Sequence, residues 1–210
     1  MLFTDYIWDF DGTLFDSYPD MALGFHRALT DLGIETDYDS VMREIKKSVG
    51  RAARYFTQGT GIAPSAVVAH FQEVRADYHT SLYPGAKEAL LAIVRAGGRN
   101  FLYSHRDESA WASLRENGLE DAFSGGIISS DPFPAKPAPD AINHLVSTYA
   151  IDRSRAVMVG DRDIDLLAGF NAHMSGFLFD PDGFYHDFEA ELRAASFADL
   201  MKICAIPPLS

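Results

Sequence analysis

The sequence contains little positive charge and a single cysteine. Only 18 of its 210 residues are lysine or arginine, against 30 aspartates and glutamates, so the formal net charge at pH 7 is −12. A protein that binds the backbone of nucleic acid needs a basic face, and no run of basic residues provides one. We therefore expect no nucleic-acid partner. The lone Cys204 excludes an internal disulfide and lies in a helical pattern, where we expect it to pack rather than react.

Long apolar segments are also missing. No apolar run approaches the roughly 18 residues that a membrane-spanning helix needs. Residues 1–5 show neither the basic region nor the apolar region of a secretory signal. The content of 47% hydrophobic and 23% charged residues is that of an ordinary globular chain. These features predict a cytoplasmic protein without a membrane partner. The expected assembly is a monomer or a homodimer, and the sequence does not decide between the two.

Strand and helix patterns alternate over most of the chain. Such alternation predicts an α/β fold, with a Rossmann-like parallel sheet covered by helices on both faces. The predicted strands are 5–9, 99–104, a short one near 126–128, 155–160 and 176–179. The predicted helices are 86–96, 108–117, 138–149, 163–171 and 189–203.

One segment after the first strand breaks this alternation. Residues 16–81 show only helical patterns, with predicted helices over 21–32, from Val41 to a stop at Gly50, and over 64–78. We interpret this segment as a small all-helical cap domain. It is inserted into a core domain that residues 1–15 and 82–210 form together.

Polar side chains follow the predicted strands at the points where the strands end. Asp9 and Asp11 follow the first strand, Ser104 ends the second, and Asp161 follows the run that ends at Gly160. The carboxyl ends of parallel strands share one edge of the sheet, where ligands bind in such folds. The Asp-x-Asp spacing decides nothing by itself, because it occurs five times in this chain.

Two further residues strengthen this interpretation. Lys136 lies directly before Pro137, and a stiff proline segment can aim an otherwise flexible lysine. Asp161 and Asp165 are four residues apart, so they share one face at the start of a helix. Carboxylates there can cap the helix, and they are also the ligands that Mg²⁺ prefers. Both functions stay open at this point.

Four segments in this order resemble the motifs of the haloacid dehalogenase-like hydrolases, specifically the branch that includes phosphoglycolate phosphatases. The segments are Asp9-Phe10-Asp11-Gly12-Thr13-Leu14, the strand that ends in Ser104, Lys136-Pro137-Ala138-Pro139-Asp140, and Gly160-Asp161-Arg162-Asp163-Ile164-Asp165. The resemblance covers residues 5–180 and includes a helical cap between the first two motifs. One departure is that the family often has Ala-Gly after the fourth motif's helix, whereas this chain has Ala172-His173.

The resemblance implies a phosphatase that hydrolyses a small phosphomonoester through an aspartyl-phosphate intermediate. Asp9 would attack phosphorus. Asp11 would protonate the leaving oxygen and then deprotonate the attacking water. Ser104 and Lys136 would hold the phosphoryl oxygens.

The resemblance also implies a magnesium cofactor. Mg²⁺ would be bound by Asp9, the main-chain carbonyl of Asp11, and Asp161, with Asp165 as a ligand or as support. The partner would be a small phosphorylated metabolite.

Three basic residues are further candidates for substrate binding. His105 and Arg106 directly follow Ser104, so they could steer the leaving group or pack against the cap. Arg51 belongs to the only cationic cluster of the predicted cap, residues 46–54. This cluster is either a solvated helix face or binds the end of the substrate that lacks the phosphate, and Arg51 is the residue of the cluster that we expect to bind there.

Two other functions remain possible from the sequence. A sugar phosphomutase of the same family would use Asp9 and Asp11 equally well. A phospho-accepting regulatory domain without turnover also places acids, a hydroxyl and a lysine at strand ends. A dehalogenase of this family would lack the acid at position 11, so Asp11 argues against halide chemistry.

Overall fold

The computed structural model describes residues 1–74 and 80–209. The chain divides into two compact units. One comprises Met1–Phe15 together with Leu82–Ser210, and the other comprises Asp16–Ser81. Residues 75–78 of the predicted third helix lie outside the described residues, so the structure says nothing about that end of it.

The larger unit is built on a six-stranded sheet, which confirms the predicted α/β class. The strands among the described residues are β1 (Asp5–Trp8), β2 (Phe15–Asp16), β3 (Ser81–Leu82), β4 (Arg99–Tyr103), β5 (Phe123–Ile127), β6 (Ala156–Gly160), β7 (Ser175–Phe179) and β8 (Leu192–Ala194). The sheet has the order β5-β4-β1-β6-β7-β8, and its neighbouring strands run parallel. The short strands β2 and β3 form a separate pair.

The described residues of the smaller unit form helices joined by turns, with strand residues at the two ends of the unit. Its helices are α1 (Tyr18–Asp31), α2 (Tyr38–Lys47), α3 (Val49–Phe56) and α4 (Pro64–Val74). Each contributes apolar side chains at helical spacing to one shared core, among them Phe25, Val41, Ala52 and Phe71. Burial of these side chains supplies the main stabilisation of this unit.

Helices cover both faces of the sheet in the larger unit. They are α5 (Ala86–Arg95), α6 (Ser109–Glu116), α7 (Asp140–Tyr149), α8 (Asp163–Asn171) and α9 (Phe197–Ile203). Successive strand residues point to opposite faces. Tyr6 and Trp8 therefore pack in one core with residues of α5, α6 and α9. Ile7 packs in a second core with residues of α7 and α8.

The predicted C-terminal helix over 189–203 is wrong in its first part. Leu192–Ala194 form β8, which pairs in parallel with β7, and the helix begins only at Phe197. Ser196 sets this start because its extended backbone and its side-chain oxygen, which accepts from the Asp199 N–H at 3.2 Å, cap the first turn.

The expected helix stop at Gly50 is also wrong. Ser48 is the residue that interrupts the helices: its backbone is extended, and its Oγ accepts from the Arg51 N–H at 3.1 Å. Gly50 therefore lies in the first turn of a new helix, α3, which the sequence patterns did not indicate.

The loop after α8 keeps a left-handed residue although glycine is absent from it. His173 has φ 56°, and the next N–H, that of Met174, returns to the Gly169 carbonyl at 2.9 Å. This is the helix-end conformation that glycine favours. Within the described residues, no helix is long and apolar enough to cross a bilayer.

Candidate active site

Three of the candidate residues follow neighbouring strands at the same edge of the sheet. Asp9 follows β1, Ser104 follows β4 and Asp161 follows β6. The hydrogen bonding of the sheet extends to Asp9 and Ser104. The Asp9 N–H donates to the Val159 carbonyl at 2.9 Å, and the Ser104 N–H donates to the Ile127 carbonyl at 3.0 Å. The parallel sheet itself therefore fixes the backbone beneath these side chains.

Lys136 lies between two carboxylates. Its Nζ is 2.6 Å from Asp9 Oδ1 and 2.8 Å from Asp165 Oδ1, and the three side chains are 0%, 2% and 0% exposed. The ammonium also lies 4.6 Å from the centroid of the Tyr103 ring, within range of a cation–π contact. A buried charge must be paired, so these contacts hold the lysine in one position.

Burial and these contacts change the proton affinities of the group. Burial and the neighbouring Asp165 raise the pKa of Asp9 to about 6, although Lys136 and Arg162 act against the shift. Burial alone would raise the pKa of Asp165, but Lys136 and Arg162 hold it below its ordinary value. Burial alone would lower the pKa of Lys136, but Asp165 and Asp9 together raise it.

Asp9, Asp161 and Asp165 form a compact group of carboxylates. One oxygen from each lies within 4.8 Å of the others, and all three residues are buried. In the part of the chain that the structure describes, Asp9 Oδ2 is buried without a hydrogen-bond partner. Such a donor set suits a divalent cation that prefers oxygen ligands.

Asp165 lies between the lysine and the start of α8. Oδ1 faces Lys136, and Oδ2 accepts from the Arg162 N–H at 3.1 Å at the start of α8. Its position requires Gly160, since a Cβ there would lie 2.2 Å from the Cβ of Asp165. Asp165 therefore both caps α8 and contacts the site.

Asp11 has a different partner, Arg106. The Nη2 of Arg106 contacts Asp11 Oδ1 closely, and its Nε donates to Asp11 Oδ2 at 3.3 Å. The guanidinium lies 4.9 Å from the Phe10 ring centroid, and the Arg106 N–H donates to Ser104 Oγ at 3.0 Å. After Asp11 the chain turns through Gly12 at φ 76°, a conformation that favours glycine.

His105 contacts the segment that carries the lysine. The Lys136 N–H donates to His105 Nε2 at 3.1 Å, so that nitrogen carries no proton. Desolvation, with Lys136 and Arg162 as positive neighbours, lowers the pKa of His105 to about 4. His105 is therefore neutral near pH 7 and anchors the main chain of the lysine.

Arg51 belongs to the helical unit. Its side chain is 61% exposed, and its Nε lies 3.4 Å from Glu44 Oε2. The other oxygen of Glu44 is 2.6 Å from Lys47 Nζ. The remaining candidates, from Asp9 to Asp165, all belong to the larger unit.

Sequence reasoning missed the contacts that organise these residues. The pairs Arg106–Asp11 and His105–Lys136 join residues 95 and 31 positions apart, so no local pattern reveals them. Thr13 Oγ1 donates to Asp161 Oδ1 at 3.3 Å. The sequence signal for that contact was the position of Thr13 in the first motif.

Comparison with known proteins agrees with this architecture. Residues 6–178 match the family model described as haloacid dehalogenase-like hydrolase. A phosphoglycolate phosphatase of Vibrio vulnificus (strain YJ016) is 30% identical over 187 residues, which cover 81% of this chain and 80% of that protein.

Solved structures share the fold along nearly the whole chain. A hydrolase from Streptococcus pneumoniae TIGR4 is 29% identical with a TM-score of 0.69, covering 98% of this chain and 100% of that one. A predicted phosphoglycolate phosphatase from Haemophilus somnus 129PT has a TM-score of 0.82 at 21% identity, covering 97% and 98% of the two chains. The chain belongs to the haloacid dehalogenase-like hydrolase family, on the branch that includes phosphoglycolate phosphatases.

Proposed function

We propose that this protein is a Mg²⁺-dependent phosphatase that hydrolyses a small phosphomonoester, of the phosphoglycolate class, through an aspartyl phosphate on Asp9. The observation that carries the proposal is the state of the Asp9 carboxylate. One oxygen is held by Lys136 at 2.6 Å, and the other is buried without a hydrogen-bond partner among the described residues. A fixed carboxylate with one oxygen available suits a nucleophile.

In the first step, a carboxylate oxygen of Asp9 forms a bond to phosphorus as the ester P–O bond breaks. Asp11 gives its proton to the leaving oxygen, so the alcohol departs neutral. In the second step, water attacks the phosphorus of the aspartyl phosphate, Asp11 takes a proton from that water, and Asp9 is restored. A carboxylate nucleophile thus divides one difficult reaction into two easier ones.

Lys136 and Ser104 are proposed to bind the phosphoryl oxygens. An ammonium has three donors, and Asp9 and Asp165 face two of them, which leaves one for the substrate. Ser104 Oγ accepts from the Arg106 N–H, so its own hydrogen can be donated to a phosphoryl oxygen. Phosphoryl transfer depends on this kind of positioning and charge stabilisation.

Asp9, Asp161 and the main-chain carbonyl of Asp11 would hold the magnesium ion. When bound, the ion would neutralise charge on the phosphoryl oxygens and on the acids around it. Asp165 would be a further ligand or a support: it belongs to the same group of carboxylates, its Oδ1 lies 2.8 Å from Lys136 Nζ, and its Oδ2 accepts from the Arg162 N–H.

The proposal also includes a role for the cationic cluster of residues 46–54 and a cell compartment. We retain Arg51 as the residue expected to bind the non-phosphate end of the substrate, and we retain the cytoplasm as the site of action. The expected substrate is a small phosphorylated metabolite.

The experiment is a panel of phosphoesters, including phosphoglycolate and p-nitrophenyl phosphate, assayed for phosphate release with Mg²⁺ and with EDTA. We expect release with Mg²⁺ and little with EDTA. Asp9→Asn should lower kcat by at least about 10³-fold, because it removes the nucleophile. Retained turnover in Asp9→Asn would show that the nucleophile lies elsewhere.

Asp5→Asn provides a matched control. Asp5 lies on the same strand and its side chain is 4% exposed, but it pairs with Arg99 at 2.6 Å rather than with Lys136. Turnover of this variant should stay within about threefold of the unmodified protein, because Asp5 pairs with Arg99 rather than with a residue of the proposed site. Transfer of phosphate to a sugar instead of water would identify a phosphomutase. An aspartyl phosphate stable for hours would identify a regulatory domain.

A further inference from the structure

The pairing of Arg106 with Asp11 joins two side chains that are both largely shielded from solvent. The arginine side chain is 11% exposed and the aspartate side chain is 24% exposed. Two nitrogens of the guanidinium reach the two oxygens of one carboxylate, with the closer contact at Oδ1 and the longer one, 3.3 Å, at Oδ2. A planar guanidinium fixes a carboxylate in orientation as well as in distance.

Arg106 is itself held by two further contacts. Its guanidinium lies over the Phe10 ring at 4.9 Å from the centroid, which restricts the side chain. Its main-chain N–H donates to Ser104 Oγ at 3.0 Å. One residue therefore contacts both the acid of the first motif and the hydroxyl of the second.

We propose that Arg106 is a positioning residue for proton transfer: its guanidinium holds the Asp11 carboxyl toward the leaving oxygen, and its main-chain N–H orients the Ser104 hydroxyl. This inference rests on the proposed function, in which Asp11 is the general acid. It gives Arg106 a role that does not require contact with the substrate.

The proton transfer balances while the guanidinium stays on the same carboxyl group. In the first step Asp11 enters as the protonated acid of the proposed function. The proton passes to the leaving oxygen as the ester P–O bond breaks and the Asp9–phosphorus bond forms. The carboxylate that remains on Asp11 already faces a positive charge, and it then accepts the proton of the attacking water.

Leaving-group dependence distinguishes this role from other roles of an arginine. The alcohol released from an alkyl phosphate such as phosphoglycolate is a poor leaving group and needs the proton of Asp11. The p-nitrophenolate ion leaves without a proton. The ratio kcat/KM reports the steps up to the first irreversible one, so comparison of the two esters isolates the acid's contribution.

The test compares Arg106→Gln, Arg106→Lys and Asp11→Asn on both esters. Arg106→Gln should lower kcat/KM for phosphoglycolate by about 100-fold, within the range of general acid catalysis, and for p-nitrophenyl phosphate by less than about threefold. Arg106→Lys keeps the charge but loses the planar fork, so we expect a loss of about tenfold on phosphoglycolate. Asp11→Asn should show the same selectivity as Arg106→Gln, and more strongly.

Arg99→Gln is the matched control. Arg99 also pairs with a buried aspartate, Asp5, at 2.6 Å, but it lies at the start of β4 rather than after its end. The ratio of the two kcat/KM values should change by less than about twofold in this variant, because the site is separate. Thermal melting shows whether each variant is folded. If Arg106→Gln is unfolded, the comparison of the two esters is made with Arg106→Lys instead.

Three results would overturn the inference. Equal losses on the two esters would mean that Arg106 supports the site in general. A rise in KM with unchanged kcat would mean that it binds substrate. No change in either ester would mean that the ion pair has no part in the reaction. If the unmodified protein released no phosphate with Mg²⁺, the proposed function itself would be refuted. If Asp11→Asn lost no more kcat/KM on phosphoglycolate than on p-nitrophenyl phosphate, Asp11 would not be the general acid.

Discussion

Asp9→Asn should make the protein more stable at neutral pH when divalent metal is absent. Asp9 is 2% exposed, and burial together with Asp165 raises its pKa from 3.8 to about 6. Between these two pH values the folded state keeps the proton that the unfolded state has lost. Stability therefore falls as pH rises through this window, and the penalty is fully present above about pH 6.

The magnitude follows from the size of the shift. A change of about two pKa units corresponds to about 3 kcal/mol of unfolding free energy at pH 7.5. The amide nitrogen of asparagine would be buried without an assured acceptor, at a cost of about 1 kcal/mol. The net expectation is a gain of about 2 kcal/mol, or a rise in Tm of about 4–8 °C for a chain of this size.

The assay is urea unfolding at pH 7.5 with EDTA, followed by tryptophan fluorescence. Trp8 and Trp111 both belong to the larger unit, so the signal reports the unit that contains Asp9. Asp5→Asn should show the opposite sign, a loss of about 1–2 kcal/mol, because it removes the partner of Arg99.

Two further conditions sharpen the test. At pH 4 the gain from Asp9→Asn should shrink, since Asp9 then carries a proton in the folded state. Addition of Mg²⁺ should stabilise the unmodified protein more than the variant. A variant that is no more stable than the unmodified protein at pH 7.5, or whose gain is the same at pH 4, would refute this account of the carboxylate.

Other substitutions test the same group of residues. Lys136→Met leaves Asp9 and Asp165 buried without their shared cation and should destabilise the protein by about 3 kcal/mol in urea unfolding; unchanged stability would contradict the pairing. Gly160→Ala places a Cβ 2.2 Å from that of Asp165 and should cost about 2 kcal/mol, measured as a lower Tm, whereas a neutral result would argue against the close approach. In an NMR titration His105 should stay neutral until about pH 4, because its pKa is lowered to about 4. The folded protein should therefore lose stability as the pH falls from about 6.5 to 4, where the unfolded chain binds a proton that the folded chain does not, and His105→Gln should remove this loss. Titration of His105 near pH 6.5 would contradict its contact with the Lys136 N–H.

The sheet and its edge were accessible from the sequence because strand patterns are local. The strand over 5–9, the buried run 155–160 and the acids that follow them could be recognised from apolar runs that end in polar residues. Parallel pairing then brings Asp9 and Asp161 to one edge without any knowledge of the contacts between them.

The errors arose where the local residue pattern favoured one structure and contacts between distant residues determined another. A helical pattern over 189–203 concealed β8, whose strand state depends on pairing with β7 rather than on its own residues. The ion pair of Arg106 with Asp11 could not be predicted because it joins residues from two different strand ends. Such contacts depend on side-chain directions, which a one-dimensional pattern does not contain.

The most direct test of the central claim is to trap the covalent intermediate. The protein is mixed with a phosphoester and Mg²⁺, quenched in acid within milliseconds, digested, and analysed by mass spectrometry. We predict a phosphorylated peptide that contains Asp9, formed before free phosphate accumulates and absent from Asp9→Asn. Phosphate release without a phosphorylated peptide, or phosphorylation of another residue, would contradict the claim that Asp9 is the nucleophile.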